Sequence, residues 1–113
     1  MKMIVAVVQP NKISEIKDAL NAAGIERLTV LDVEGYGKQK GHTEIFRGRE
    51  YEVLFTRKTQ IEVVVKNEQE KQAALDAIIK TARTGNIGDG KIFILPVEEV
   101  IRIRTGEKNE EAI

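Results

Sequence analysis

The segment GYGKQKGHTEIFRGREYEV, residues 35–53, decides how the rest of the chain is assembled. It holds four glycines, the cationic side chains Lys38, Lys40, Arg47 and Arg49, the chain's single histidine, His42, and Tyr51 near its end. Its apolar residues follow neither a helical nor a strand period. On either side stand two runs that read as strands, LTVLDV at 28–33 and QIEVVV at 60–65. The segment is therefore the connection of a β-hairpin, and at roughly 20 residues it far exceeds the usual ~2–5. A connection that long in a small domain is either a working part or disordered.

Outward from this hairpin the pattern is regular. MIVAVV, residues 3–8, is a short apolar run rich in β-branched residues and stopped by Pro10, a buried strand. From Lys12 to Ala23 the residues Ile13, Ile16, Leu20 and Ala23 recur every three or four positions, one face of a helix, and Gly24 suits the position just past its end. Beyond the hairpin, Asn67 with Glu70 predicts a helix N-cap and its capping-box partner. Leu75, Ile78, Ile79 and Ala82 form the predicted stripe of that helix, which Gly85 ends. KIFILPV at 91–97 is a fourth strand, VIRIRTG alternates as a short fifth strand or edge extension, and EKNEEAI is an acidic tail. The order is βαββαβ. It predicts one α+β domain over residues 1–113, a ferredoxin-like sandwich with a long loop between strands two and three and a short C-terminal strand.

Composition narrows the function classes. Eighteen lysines and arginines balance eighteen aspartates and glutamates, so bulk charge offers no attraction to nucleic acid or an anionic membrane. There is no cysteine, which removes disulfides and thiolate metal sites and fits a reducing compartment. No apolar run approaches the ~20 residues of a membrane-spanning helix, and MKMIVAVVQP is too short and too soon interrupted to read as a signal peptide. The expectation is a soluble cytoplasmic domain, with oligomerisation as a route to further burial for so small a chain.

Two motifs stand outside the hairpin. TGNIGDGKI, residues 84–92, matches part of a phosphate-binding loop but carries Ile92 where a magnesium-binding hydroxyl belongs, and it runs helix–loop–strand instead of strand–loop–helix. A nucleotide hydrolase of that type is excluded. The chemistry can persist without it, because Gly88 and Gly90 let backbone N–H groups approach an anion and Lys91 adds charge. A tight turn with nothing bound fits the spacing equally. In IRIRTG, residues 101–106, Arg102 and Arg104 would share one face of a strand and suit phosphate or carboxylate oxygens. A charged edge that discourages aggregation fits as well. GYGKQKG offers a G-x-G after a strand, but Lys40 replaces the third glycine and no helix follows. No Ser–His–Asp set, reactive cysteine or apolar-shielded carboxylate is present, so the chain reads as a binding protein and not as an enzyme. Aromatic residues are 4%, too few for the base-stacking platform of an RNA-binding module of this topology.

Taken together, GYGKQKGHTEIFRGREYEV, ARTGNIGDGKIF and VIRIRTGE resemble the PII nitrogen-regulatory signalling proteins, in the same order and over nearly the whole chain. The resemblance implies a homotrimer that binds ATP or ADP in clefts between subunits and senses 2-oxoglutarate through bound Mg-ATP. It implies that the long loop, the T-loop at about 37–55, docks on an ammonium transporter or on nitrogen-metabolism enzymes. Residue by residue, Gly88, Asp89, Gly90 and Lys91 match the loop that wraps the nucleotide phosphates, and Arg102 and Arg104 the arginines reaching them from the adjacent subunit. Thr29, Gly37, Lys38, Gln39, Glu62 and Val64 match other nucleotide-contacting positions, with Thr29, Gly37, Glu62 and Val64 at the adenine and ribose end. Gln39 matches the magnesium ligand. Gln39, Lys40, Gly41 and Lys58 match the 2-oxoglutarate site, where Lys58 meets the far carboxylate. Tyr51 matches a tyrosine modified by a nucleotidylyltransferase in many relatives, and Arg47 the residue that plugs a transporter pore.

The resemblance further implies a cytoplasmic signalling protein, held at a membrane only through a transporter, with no enzymatic activity and no nucleic-acid partner. Four places depart from the family pattern. Gln9 stands where a basic residue is common, Asn11 where Phe is, Arg27 where Gly is, and LFTRK at 54–58 replaces DFLPK around the retained Lys58. Arg49 occupies the position of a phosphorylated serine, which excludes that modification. These departures leave a second reading, a paralogue that senses only ATP and ADP and has a different partner.

Overall fold

The structure, a computed structural model, describes residues 1–36 and 55–113 in full, and residues 43–46 and 49–52 as backbone strands. In chain order the elements are β1 (Lys2–Val8), a 3-10 turn at Pro10–Lys12, α1 (Ile13–Ala22), β2 (Thr29–Tyr36), β3 (Thr43–Phe46), β4 (Arg49–Glu52), β5 (Phe55–Val65), α2 (Glu68–Ala82), β6 (Gly90–Pro96) and a 3-10 turn at Asn109–Ala112. The main sheet is antiparallel in the order β2-β5-β1-β6. With α1 and α2 packed together on one face, this is the ferredoxin-like α+β sandwich the sequence order predicts.

Alternation along the strands builds the core. Ile4, Ala6 and Val8 of β1 and Ile61, Val63 and Val65 of β5 turn toward the helices and are buried. Ile16, Leu20, Ala74, Ile78 and Ala82 meet them from the helices. Each buried Ile or Leu contributes about 1.5–3 kcal/mol by leaving water. The stripe of α2 is rotated from the predicted one. Ala74 is buried in place of Ile79, which is 37% exposed. Ala74 thus shares the buried face with Ile78 and Ala82, on successive turns of the helix.

Local signals fix the helix ends. At the end of α1, Gly24 takes φ +83°, its N–H donates to the Asn21 carbonyl, and the Ile25 N–H reaches back to Leu20. This is a Schellman cap, sealed by contact between two buried residues, Leu20 and Ile25. Asn67 caps α2 by accepting the Glu70 N–H at 2.8 Å. The Glu70 carboxylate does not close the predicted capping box; it accepts the Lys66 N–H at 3.1 Å and pairs with Arg27. Arg27 also donates Nε to the Val64 carbonyl at 3.1 Å, so this departure from the family pattern ties the start of β2 to the end of β5. The helix α2 stops at Ala82, three residues before Gly85, because Arg83 is already extended at φ −74°, ψ 126°.

Two expectations need correction. The long connection contains paired strands, β3 and β4, with Glu44 opposite Tyr51 and Phe46 opposite Arg49. Each is only four residues long, too short for a periodic signal to rise above its polar surroundings. The C-terminal strand reduces to a single antiparallel bridge, Ile101 to Lys108. The chain between them turns tightly, with the Arg102 N–H donating to Glu107 and the Gly106 N–H to Arg102. Gly106 supplies φ +74°, which breaks the alternation seen in VIRIRTG.

Candidate functional site

The site begins where α2 ends. Asp89 folds back on the loop it belongs to, and its carboxylate accepts the N–H groups of Thr84 at 2.7 Å and Gly85 at 2.9 Å and the Thr84 hydroxyl at 2.5 Å. The hydrogen bonds from Thr84, then the one from Gly85, hold this carboxyl below the usual aspartate range. Gly85, Gly88 and Gly90 all have positive φ, at 89°, 101° and 108°. At Gly90 the need is absolute: a Cβ there would stand 1.8 Å from the Val7 carbonyl oxygen. The loop is thus pressed against β1 at one end and braced by Asp89 beside it.

Between those fixed points the Gly88 carbonyl is aimed at two donors. Lys58 Nζ, from β5, reaches it at 2.6 Å, and Gln9 Nε2, from the end of β1, at 2.8 Å. Lys58 and Gly88 border a cleft of about 480 Å³ on the sheet face away from the helices. Lys91 and Phe93 of β6, Ile87 of the loop, and Gly35 and Tyr36 at the end of β2 complete the part of the wall that matters here. The Tyr36 and Phe55 rings pack at 5.2 Å, tilted by 55°, at the rim. Two ammonium groups beside apolar walls and Cβ-free backbone suit a ligand with an apolar or planar body and an anionic end.

Of the residues singled out from sequence, Gly88, Gly90, Lys91 and Lys58 come together at this cleft. Asp89 is adjacent but turned to the loop's own N–H groups, so it shapes the wall without presenting its charge to the cleft. Thr29 and Glu62 are cross-strand neighbours, in a row that continues through Val5 to Phe93. Val64 lies one row further, opposite Met3. Arg102 and Arg104 lie on the turn after β6, outside the cleft wall. Arg102 Nη1 pairs with Glu107 at 2.9 Å. Gly37, Lys38, Gln39, Lys40, Gly41, His42 and Arg47 lie outside the described residues, as does the side chain of Tyr51.

Sequence reasoning marked Gln9 as a departure near the site but not as a donor to the glycine-rich loop, and it missed Tyr36, Ile87 and Phe93 as walls of the cleft. Gln9 carries no motif of its own; its departure from the family pattern marked the position, and its hydrogen bond to the Gly88 carbonyl is visible only in the fold. Ile87, 77% exposed within a glycine-rich loop, was the one signal available, since an isoleucine left in water asks for a ligand or a neighbour. Among the described residues no three His, Cys, Asp or Glu side chains gather to hold a metal, and no helix is long and apolar enough to cross a membrane.

A ferredoxin-like α+β domain whose braced glycine loop and two lysines border an anion-receptive cleft, and whose first hairpin strand, β2, leads from that cleft into a long connection, defines the class. Residues 1–107 match the family model described as "Nitrogen regulatory protein P-II". Proteins named Nitrogen regulatory protein P-II from Nostoc punctiforme, Microchaete diplosiphon and Pasteurella multocida are 56%, 55% and 53% identical to the chain, each over the full length of both sequences. The chain belongs to the P-II family of nitrogen regulatory proteins.

Proposed function

We propose that the protein is a trimeric signal-transduction subunit that binds ATP or ADP competitively and 2-oxoglutarate together with Mg-ATP. It passes the result to an ammonium transporter or a nitrogen-assimilation enzyme through residues 37–55. The observation that carries this reading is the shared root of cleft and connection: Gly35 and Tyr36 line the cleft, and the next residue opens the long segment. A ligand that moves this root biases the segment's conformation, which is all a switch requires.

The residues present fit the ligands. Gly88, Gly90 and Lys91 suit phosphate oxygens, and Lys58 suits a carboxylate. Gln39 would supply an oxygen to magnesium, which a 2-oxo acid can chelate while Lys58 neutralises its other end. Trimer formation is supported by apolar side chains left in water: Phe93 at 52%, Leu95 at 45% and Ile103 at 100% exposure. In a trimer, Arg102 and Arg104 would complete a neighbour's phosphate site. Tyr51 would be the group offered to a nucleotidylyltransferase, and Arg47 the side chain presented to a transporter.

Titration calorimetry of 2-oxoglutarate into the protein with Mg-ATP, with Mg-ADP and without nucleotide tests the reading. Saturable binding only with Mg-ATP is the expected result, and failure to bind either nucleotide would sink it. Gln9 favours a second reading. A neutral amide at the cleft where relatives carry a cation lowers the pull on a dicarboxylate, so ATP and ADP binding without a 2-oxoglutarate response would identify a sensor of energy state alone. Sedimentation equilibrium reads the assembly, with three times the chain mass expected.

A further inference from the structure

The Gly88 carbonyl has two lone pairs, and both are taken: one by a cation that faces the cleft, the other by a neutral amide. The two donors come from different strands, 30 and 79 residues away along the chain. Gln9 is partly buried at the end of β1 and is not part of the cleft wall, whereas Lys58 is. The loop on either side is already constrained, by the Asp89 carboxylate and by the contact of Gly90 with Val7. The carbonyl therefore cannot swing away to suit either donor; the donors come to it.

We infer that Gln9 and Lys58 form a two-donor clasp on the Gly88 carbonyl, in which Lys58 is the half that an anion removes and Gln9 the half that stays. An ammonium bonded to a neutral carbonyl gains less than one paired with a full negative charge, so a carboxylate or phosphate entering the cleft draws Lys58 off. Gln9 carries no charge for the anion to attract, and it keeps the loop in register while Lys58 changes partner. A lysine or arginine at this position would be drawn to the same anion and would loosen the loop as the ligand bound. Gln9 is thus a positioning residue: it acts on the ligand through the shape of the glycine-rich loop. The displacement half of this inference rests on the functional reading above; the clasp itself does not.

The carbonyl carbon of Gly88 reports the clasp directly, because its 13C resonance moves downfield when the oxygen accepts hydrogen bonds. In the ligand-free protein labelled at glycine carbonyls, Gln9→Glu, an isostere that cannot donate when ionised, and Lys58→Met are each expected to move this resonance upfield. Gln9→Lys, which restores a donor, is expected to return it. Titrating the wild type with ADP, and separately with 2-oxoglutarate in the presence of Mg-ATP, should shift the resonance to the Lys58→Met position. Displacement by ADP alone assigns Lys58 to phosphate; displacement only with 2-oxoglutarate assigns it to carboxylate. ADP affinity should fall about threefold to tenfold in Gln9→Met, which removes the donor without adding a charge, the worth of one neutral hydrogen bond. An unmoved resonance in both single variants would overturn the clasp. Saturation by both ligands with the wild-type resonance unchanged in each case would overturn the displacement. Failure of both ligands to bind would sink the functional reading and the displacement step together, with the clasp still decided by the ligand-free spectra.

Discussion

Two glycine-containing turns of this molecule carry similar promise in sequence, and the structure treats them differently. The loop from Thr84 to Lys91 is held from three directions: by its own Asp89, by Gln9 and Lys58 from two strands, and by the press of Gly90 on Val7. Among the described residues the turn from Ile101 to Lys108 is held by itself and its immediate flank, through the Arg102–Glu107 pair, the Gly106 N–H and the Lys108–Glu99 pair. The first is one wall of a cleft. The second presents Ile103 wholly to water with Arg104 beside it, outside the cleft wall. A motif acquires a role when remote parts of the fold determine its shape.

The sharpest way to break this comparison is a pair of glycine substitutions. Gly90→Ala places a Cβ against the Val7 carbonyl at a positive φ, so one strand must part from the other. A loss above roughly 3 kcal/mol is expected in urea unfolding. Gly106→Ala meets nothing within 4 Å and should lose only about 1–2 kcal/mol, the cost of the left-handed backbone itself. Equal losses would refute the claim that one turn is determined by the fold and the other by its own sequence. Lys58→Met comes next, with about 1 kcal/mol expected because the amine is part-exposed and Gln9 still satisfies the carbonyl. Its larger effect is on ligand binding.

The pH dependence sharpens the same contrast. The folded pKa of Asp89 is depressed by the Thr84 and Gly85 hydrogen bonds. Its contribution is therefore complete above the ordinary aspartate value near ~4 and is lost as pH falls from there through the folded value. Amide-exchange protection factors at Thr84 and Gly85, corrected for the intrinsic pH dependence, should fall across that acid range, while that of Gly106 stays unchanged. The smallest effect is expected from Arg102→Ala, which removes a half-exposed ion pair and should cost no more than about 0.5 kcal/mol in the isolated subunit. A much larger loss, seen only under conditions where the protein is oligomeric, would show that the turn is completed by a neighbour.

Much of the fold was legible because its signals are local. The β-branched run at residues 3–8, Gly24 at the end of α1 and Asn67 at the start of α2 act on groups within a turn of themselves. The errors have a common origin. Ile79 and Ala74 both suit a helical stripe, and which is buried is decided by how the helix is rotated against the rest of the fold. VIRIRTG alternates like a strand but has no partner strand to pair with beyond one bridge, so the chain turns instead. The candidate site divides the same way: Gly88, Gly90 and Lys91 were read from their chemistry, Lys58 and Gln9 were marked only through the family resemblance, and the bond of Gln9 to Gly88 was not legible at all.

By itself, then, the amino-acid order determined the element types, the βαββαβ succession, the helix caps and the glycines that permit a positive φ, because hydrophobic period and backbone sterics operate over a few residues. Only the tertiary structure decided which turn became a wall of the cleft, that Asp89 serves the loop and leaves the cleft's charge to Lys58 and Lys91, and that Gln9 meets Gly88 across 79 residues of chain. Such contacts depend on strand register and on the side of the sheet to which each side chain turns, and neither is a property of any short stretch of sequence.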